Sequence, residues 1–487
     1  MVTWTPDLIA FGGAAALIFL GYLGNVIFAQ TRVNDTLLLI AVGVFIGPVS
    51  CSVLSTGCLV EPATLARITP IVGPLALILI LFDGGLALRF KELAHGVGGA
   101  LVLALVGFTL TAAALGAIAA WILEIPFMTG VILGTILGGT SALVVLPSLQ
   151  HLRTERKTAT MLSLESAITD VLVVVVASGL ILIVAAGQGP DPQSLAGTLV
   201  TTFIVAIVIG AAAGAGWLAV SRRIVDKPYG YMVTLGVMLA LYVLVQSLLR
   251  DAPGGGPLAV LAFGVTLGNS ESLGPWFQKR ADATFSTGFK RFQGELAFLV
   301  RTFFFVYLGI LVDFDLLLDP IIFGVGCLLF VGLVAARYVA VALASRSPRL
   351  KGDAGIMLAM MPRGLAAAVL AAAPMEAGIE GTESFVALAF LLLVLTNLAT
   401  TVGAFTMERR QSGTPGPKDG AAWKDSWRGT FFPRPTTAGP AEEDDNATSV
   451  PVVDARRTAG RKDVPKKSSI KVVGRGLERD DRRRRSR

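Results

Sequence analysis

Charge is what this sequence lacks most. Only 15% of its 487 residues are Asp, Glu, Lys or Arg, against 54% hydrophobic. A soluble chain carries roughly a quarter charged residues, so a water-soluble enzyme is excluded and an all-α polytopic membrane protein is expected. Histidine occurs twice, at His95 and His151, both in expected loops. That excludes a histidine metal box, a haem ligand set or a histidine proton relay. Three cysteines, Cys51, Cys58 and Cys327, have no metal-ligating spacing; Cys51 and Cys58 share one expected external loop and are a candidate pair. No phosphate-binding loop of the form GxxxxGK[ST] is present, which argues against ATP as the energy source. No basic segment precedes the first apolar run, so no cleavable signal peptide is expected. No resident cofactor is expected.

What the chain has instead is apolar runs of spanning length. A span needs about 20 mostly apolar residues, and thirteen such runs occur, at roughly 8–29, 36–53, 68–88, 97–123, 127–149, 159–186, 196–220, 229–249, 256–269, 292–312, 318–345, 354–375 and 384–407. The ninth is the shortest. Basic residues collect in the loops after odd-numbered spans, among them Arg153, Arg156 and Lys157, then Arg222, Arg223 and Lys227, then Arg346, Arg349 and Lys351. Loops after even-numbered spans hold Arg67 and Arg250 beside acids such as Glu124, Asp191 and Glu376. Positive charge collects on the cytoplasmic side, which predicts the N-terminus outside and the C-terminus in the cytoplasm. Two domains are expected: residues 1–407 within the membrane, and a basic tail, 408–487, without apolar periodicity and expected to be disordered. The tail ends in Arg482, Arg483, Arg484, Arg485, Ser486 and Arg487. It reads as a solvated tail, and no nucleic-acid partner is expected.

Two spans are interrupted. The fifth contains Gly138, Gly139, Thr140 and Ser141; the twelfth contains Met361, Pro362, Arg363 and Gly364. Unwound backbone at bilayer depth is tolerated only inside protein or against a water-filled cavity. Interrupted spans in matching positions of two halves point to a transport site. Here they match if spans one to six and eight to thirteen are inverted repeats about a linking seventh.

The sixth span carries the chemistry, in Glu165, Ser166, Thr169 and Asp170. A charge at bilayer depth costs about 2.5–3.5 kcal/mol even on a lenient scale, so each carboxylate needs a partner, water or a task. Five residues of helix is about 500° of rotation, which sets Glu165 and Asp170 about 140° apart. Ser166 and Asp170 share one face, and Glu165 and Thr169 another. The first face offers hard oxygen ligands for a small cation, a Na⁺ site at Asp170 and Ser166. The second offers a carboxylate in need of a counter-charge. Arg301, Arg337 and Arg363 all lie within spans; Arg363, at a break, is the preferred partner of Glu165.

These segments together resemble the monovalent cation/proton antiporter superfamily, most closely its NhaP-type sodium/proton exchanger branch. The resemblance covers about residues 8–407. It rests on Leu81–Leu86 with Asp83, the Gly-Thr break of the fifth span, Glu165-Ser166-x-x-Thr169-Asp170, Phe303–Gly309, and Pro362-Arg363-Gly364. It implies a core with two crossed broken helices, a separate dimerisation domain, a homodimer, and elevator-like movement of the core in the plasma membrane. Carried over, Asp170 binds cation and proton alternately, Ser166 and the Thr140 region help, Asp83 joins through water, and Glu165 with Arg363 forms a structural ion pair. Two departures stand out: Thr169 replaces the usual Asn, and Ser141 replaces an aspartate that offsets the positive ends of facing half-helices. Loss of that acid leaves the site more positive and weakens cation binding.

The function implied is secondary active exchange of a monovalent cation for H⁺, electroneutral, with Na⁺ preferred and Li⁺ accepted. The alternatives are K⁺/H⁺ exchange on the same fold, or a non-transporting membrane sensor acting through the tail.

Overall fold

A computed structural model describes residues 34–53, 69–87, 90–150, 152, 154–185, 192–225, 230–249, 255–270, 287–345 and 352–411, with parts of 12–27; residue 151 and residue 153 are outside it. Among the described residues there is no strand. Among the described residues, helix is present at each of the thirteen expected positions. The described residues of 12–27 are helical and form α1. There follow α2 (Asp35–Val44), α3 (Thr69–Ala87), α4 (Phe90–Ile122), α5a (Phe127–Ile136), α5b (Ala142–Gln150), α6 (Arg156–Ala185), α7 (Pro192–Val225), α8 (Gly230–Leu248), α9 (Gly255–Gly268), α10 (Thr287–Ile310), α11 (Pro320–Ala344), α12a (Ala354–Ala359), α12b (Leu365–Leu370) and α13 (Phe385–Gln411). Helix α13 continues past the expected boundary at 407. The tail beyond residue 411 and Cys58 lie outside the described residues. Cys51 is disulfide-bonded and Cys327 is free.

Six of these helices are long and apolar enough to cross a membrane unaided, in α4, α6, α7, α10, α11 and α13, and the shorter ones are apolar too. The chain is a multi-pass membrane protein. Side-chain exposure follows that reading. Trp121, Phe203, Val243, Val331 and Tyr338 point outward from the helices on which they sit, as lipid-facing residues do when a helix bundle meets hydrocarbon rather than water. Short α9 is the exception. Its residues from Gly255 to Gly264 are all buried, and a helix apolar on every side belongs in an interior.

Packing sorts the helices into two bundles. Helices α4, α5a, α5b, α6, α11, α12a and α13 pack on one another; α7, α8, α9 and α3 pack on one another, and α10 joins α2 to α3. Gly43 of α2 and Gly309 of α10 meet backbone to backbone, where any side chain would overlap the facing main chain. Helix α12b bridges the two bundles, touching α6 and α13 on one side and α3 and α10 on the other. An apolar cluster lines that junction: Leu39 and Ile40 from α2, Phe304 and Phe305 from α10, Leu365 from α12b, and Phe390 and Leu393 from α13.

Candidate functional site

Both interrupted spans are broken, and the breaks touch. Helix α5a stops at Ile136 and α5b resumes at Ala142; α12a stops at Ala359 and α12b resumes at Leu365. Pro362 has no N–H to continue a helix. The Ser141 N–H donates to the Pro362 carbonyl at 2.9 Å, and the Arg363 guanidinium donates to the Gly139 carbonyl. Orphaned backbone groups of each break are thus satisfied by the other. The approach leaves no room for side chains. A Cβ at Gly364 would overlap the Ser141 side chain, and one at Gly139 would come within 2.6 Å of Val173 Cγ2 on α6.

Helix α6 runs past this junction, and its Ser166 and Thr169 form a cluster of hydroxyls with Thr140 of the break. The Thr140 N–H donates to Thr169 Oγ1 at 3.1 Å, and the Thr140 hydroxyl lies 3.2 Å from Ser166 Oγ and 3.2 Å from Thr169 Oγ1. The Thr169 hydroxyl donates back to the Ser166 carbonyl at 3.1 Å. Thr140, Ser141, Ser166 and Thr169 are all buried. The structure therefore brings together four of the expected site residues around one point of the crossing. Asp170 lies one turn beyond Ser166 on the same helix and is partly exposed. Among the described residues its carboxylate makes no hydrogen bond. The charged group acting on it is Arg363. Its oxygens are uncommitted, one helical turn from a buried hydroxyl cluster.

The expected ion pair is corrected. Glu165 pairs with Arg337 of α11, not with Arg363. Arg337 Nη1 and Nη2 grip the two Glu165 oxygens, the second at 3.1 Å. Arg337 also donates to the carbonyl of Met357, at 3.0 and 2.8 Å, and to that of Met360, at 2.7 Å. These carbonyls end α12a, where the helix dipole is negative. Arg337 therefore neutralises a carboxylate and caps a half-helix at once. Arg363 instead holds the Gly139 carbonyl in the unwound segment between α5a and α5b, and its field reaches both Glu165 and Asp170. The two arginines divide work that one was expected to do. Local sequence cannot separate them, because both lie in apolar runs and only the packing of α11 against α4, α12a and α13 decides which one meets Glu165.

Asp83 is not in hydrogen-bonding contact with Asp170 among the described residues. Its charged neighbour is Arg301 of α10, which forms an ion pair at 2.8 Å with Asp35 in the first turn of α2. The Asp35 pair was missed from sequence because Asp35 reads as a loop-end charge.

Also missed were Thr396 and Asn397 on α13. Thr396 Oγ1 accepts the Arg363 N–H at 3.0 Å, and Asn397 Nδ2 donates to the Arg363 carbonyl at 2.9 Å. Two adjacent side chains thus hold both backbone groups of the residue at the α12 break. Their signal in the sequence was present: an amide in the middle of a long apolar run, at Leu395-Thr396-Asn397-Leu398.

Known proteins resemble this chain in sequence and in fold. The family described as "Sodium/hydrogen exchanger, transmembrane" matches residues 15–409. The K(+)/H(+) antiporter NhaP2 of Shewanella baltica is 26% identical over 349 residues, 70% of this chain and 57% of that protein. The K(+)/H(+) antiporter NhaP of Alkalimonas amylolytica is 26% identical over 67% of this chain and 54% of its own length. This chain thus spans little more than half the length of those two relatives. The Na(+)/H(+) antiporter 1 of Methanocaldococcus jannaschii is 26% identical over 64% of this chain and 70% of that protein. The solved structure of the sodium proton antiporter MjNhaP1 from the same organism superposes with a TM-score of 0.70 at 23% identity, covering 84% of this chain and 100% of that one. That likeness shows the fold. With the family match running from α1 to α13 and the broken helices touching at their breaks, the chain belongs to the sodium/hydrogen exchanger family.

Proposed function

We propose that the chain is a secondary active antiporter that exchanges a monovalent cation for H⁺ in the plasma membrane, with Asp170 as the shared binding group. The observation that carries this reading is the uncommitted Asp170 carboxylate one turn from the Thr140–Ser166–Thr169 hydroxyls at the helix crossing. A carboxylate and hydroxyl oxygens suit a hard monovalent cation, with Asp170 and Ser166 as the first ligands and Asp83 reached through water. Proton and cation compete for one carboxylate. Only its neutralised forms cross the apolar barrier cheaply, because a bare charge there costs kcal/mol. Flux of one ion is then tied to counter-flux of the other, one for one and electroneutral. Movement is of the crossing bundle against the flanking bundle, in a homodimer with its N-terminus outside and its basic tail, residues 408–487, in the cytoplasm.

Na⁺, with Li⁺ accepted, is the first cation proposed. K⁺ is the second reading, favoured by the names of the NhaP2 and NhaP relatives. The experiment is proton flux in proteoliposomes with a pH-sensitive dye, adding Na⁺, Li⁺ and K⁺ in turn, for the wild type and Asp170→Asn. Cation-dependent flux lost in the variant supports the reading; flux retained in folded Asp170→Asn removes Asp170 from it.

A further inference from the structure

One buried contact joins the two bundles by a directional bond rather than by apolar packing. Asn34, the residue that caps α2, donates from Nδ2 to Asn397 Oδ1 of α13 at 2.7 Å. Asn34 is 4% exposed and Asn397 0%. The orientation of both amides is set by their other partners. Asn397 Nδ2 lies 2.9 Å from the Arg363 carbonyl and 2.7 Å from the Leu393 carbonyl, and carbonyls only accept. Its Oδ1 must therefore face Asn34. Asn34 Oδ1 in turn accepts the Thr36 N–H at 3.1 Å, which leaves Nδ2 as the donor. The chain of bonds runs from the start of α2, through Asn397, to the backbone of Arg363 at the α12 break.

We propose that Asn34 and Asn397 form a latch between the bundles that positions the α12 break, and that opens when the crossing bundle moves past the flanking one. The proposal rests on the reading above that transport proceeds by that movement. The physical argument is one of directionality. The surrounding junction is apolar, with Leu39, Ile40, Phe304, Leu365, Phe390 and Leu393. Apolar surfaces slide on one another at little cost, whereas an amide pair is lost entirely within an ångström or two of displacement. Because Asn397 also holds the Arg363 carbonyl, the latch and the binding site share one residue. Asn34 and Asn397 touch neither cation nor proton; they are positioning residues.

The test separates the latch from the helix cap. Asn34→Ser keeps a side-chain oxygen that caps α2 but is too short to reach Asn397; Asn34→Asp, which also caps, is the second variant. Two readouts are needed. One is cation-dependent proton flux in proteoliposomes. The other, independent of transport, is the distance distribution between spin labels at Trp121 on α4 and Leu248 on α8, both exposed. The expected result is that Asn34→Ser transfers population to a second distance by about threefold to tenfold, the range of interhelical hydrogen bonds within membranes, and changes maximal flux. Asn34→Ser added to Asn397→Ala should give no further shift. A wild-type distance distribution and flux in Asn34→Ser would overturn the latch, as would effects that simply add to those of Asn397→Ala. If both Asn34 variants fail to fold, the pair is a determinant of the fold and the latch is overturned. If the wild type exchanges no cation, the functional reading falls, while the distance shift still decides the latch.

Discussion

The Glu165–Arg337 pair can be weighed by taking its members away one at a time. Their side chains are 3% and 5% exposed, so water cannot replace a lost partner. Arg337→Met would leave the Glu165 carboxylate without its bidentate partner and would strip the Met357 and Met360 carbonyls of three donated bonds. Breaking a buried pair in this way costs about 3–5 kcal/mol. Glu165→Gln costs less, about 1.5–3 kcal/mol, because the amide oxygen can still accept from one Arg337 nitrogen and the cation keeps its carbonyl partners. The double variant should be less destabilised than the sum of the two, since it leaves no bare charge. The interaction energy of the cycle should therefore be about 2 kcal/mol or more, against less than about 1 kcal/mol for the cycle of Glu165 with Arg363. The assay is thermal and denaturant stability of purified protein, followed by its loss from the monodisperse peak on size-exclusion chromatography. A larger coupling of Glu165 with Arg363 than with Arg337 would refute the pairing and the account of α12a capping built on it.

Other consequences can be checked separately. Thr140→Val and Ser166→Ala each remove one hydroxyl of the cluster, and each should weaken apparent cation affinity by about fivefold, the equivalent of about 1 kcal/mol; unchanged affinity in both would remove the hydroxyls from the site. If proton and cation compete for Asp170, the apparent KM for the cation should rise as pH falls, approaching tenfold per unit where the proton occupies most sites, with maximal flux unaltered; a KM that is flat from acid to alkaline pH would exclude a shared carboxylate. Gly364→Ala should abolish folded protein by driving a methyl into Ser141, and Ser141→Gly in the same chain should restore part of the yield. Measured expression and monodispersity decide this, and full tolerance of Gly364→Ala alone would show that the breaks are not in contact.

The family resemblance implied a Glu165–Arg363 pair that the packing replaces with Glu165–Arg337. Asp170, Glu165 and Ser166 stood out because charge and hydroxyl oxygen are conspicuous in an apolar helix, and helical periodicity alone separates their faces. Both breaks were legible because glycine and proline act on the backbone where they stand. Asn397 carried a local signal too, an amide within a run of leucines, but no local rule says what an amide at that position will hold.

What the sequence determined by itself is therefore the class of protein, the places of its apolar helices, the two breaks and the presence of carboxylates in the sixth span. Each follows from properties that residues carry wherever they are placed: hydropathy over about 20 positions, conformational preference, and the cost of charge in lipid. Only the tertiary structure decided that Glu165 meets Arg337, 172 positions away, while Arg363 holds the Gly139 carbonyl and is held by Thr396 and Asn397. Arg301, Arg337 and Arg363 are chemically equivalent candidates for a counter-charge. The choice among them is made by which guanidinium the packing of the bundle brings to the Glu165 carboxylate, a fact that no stretch of sequence contains.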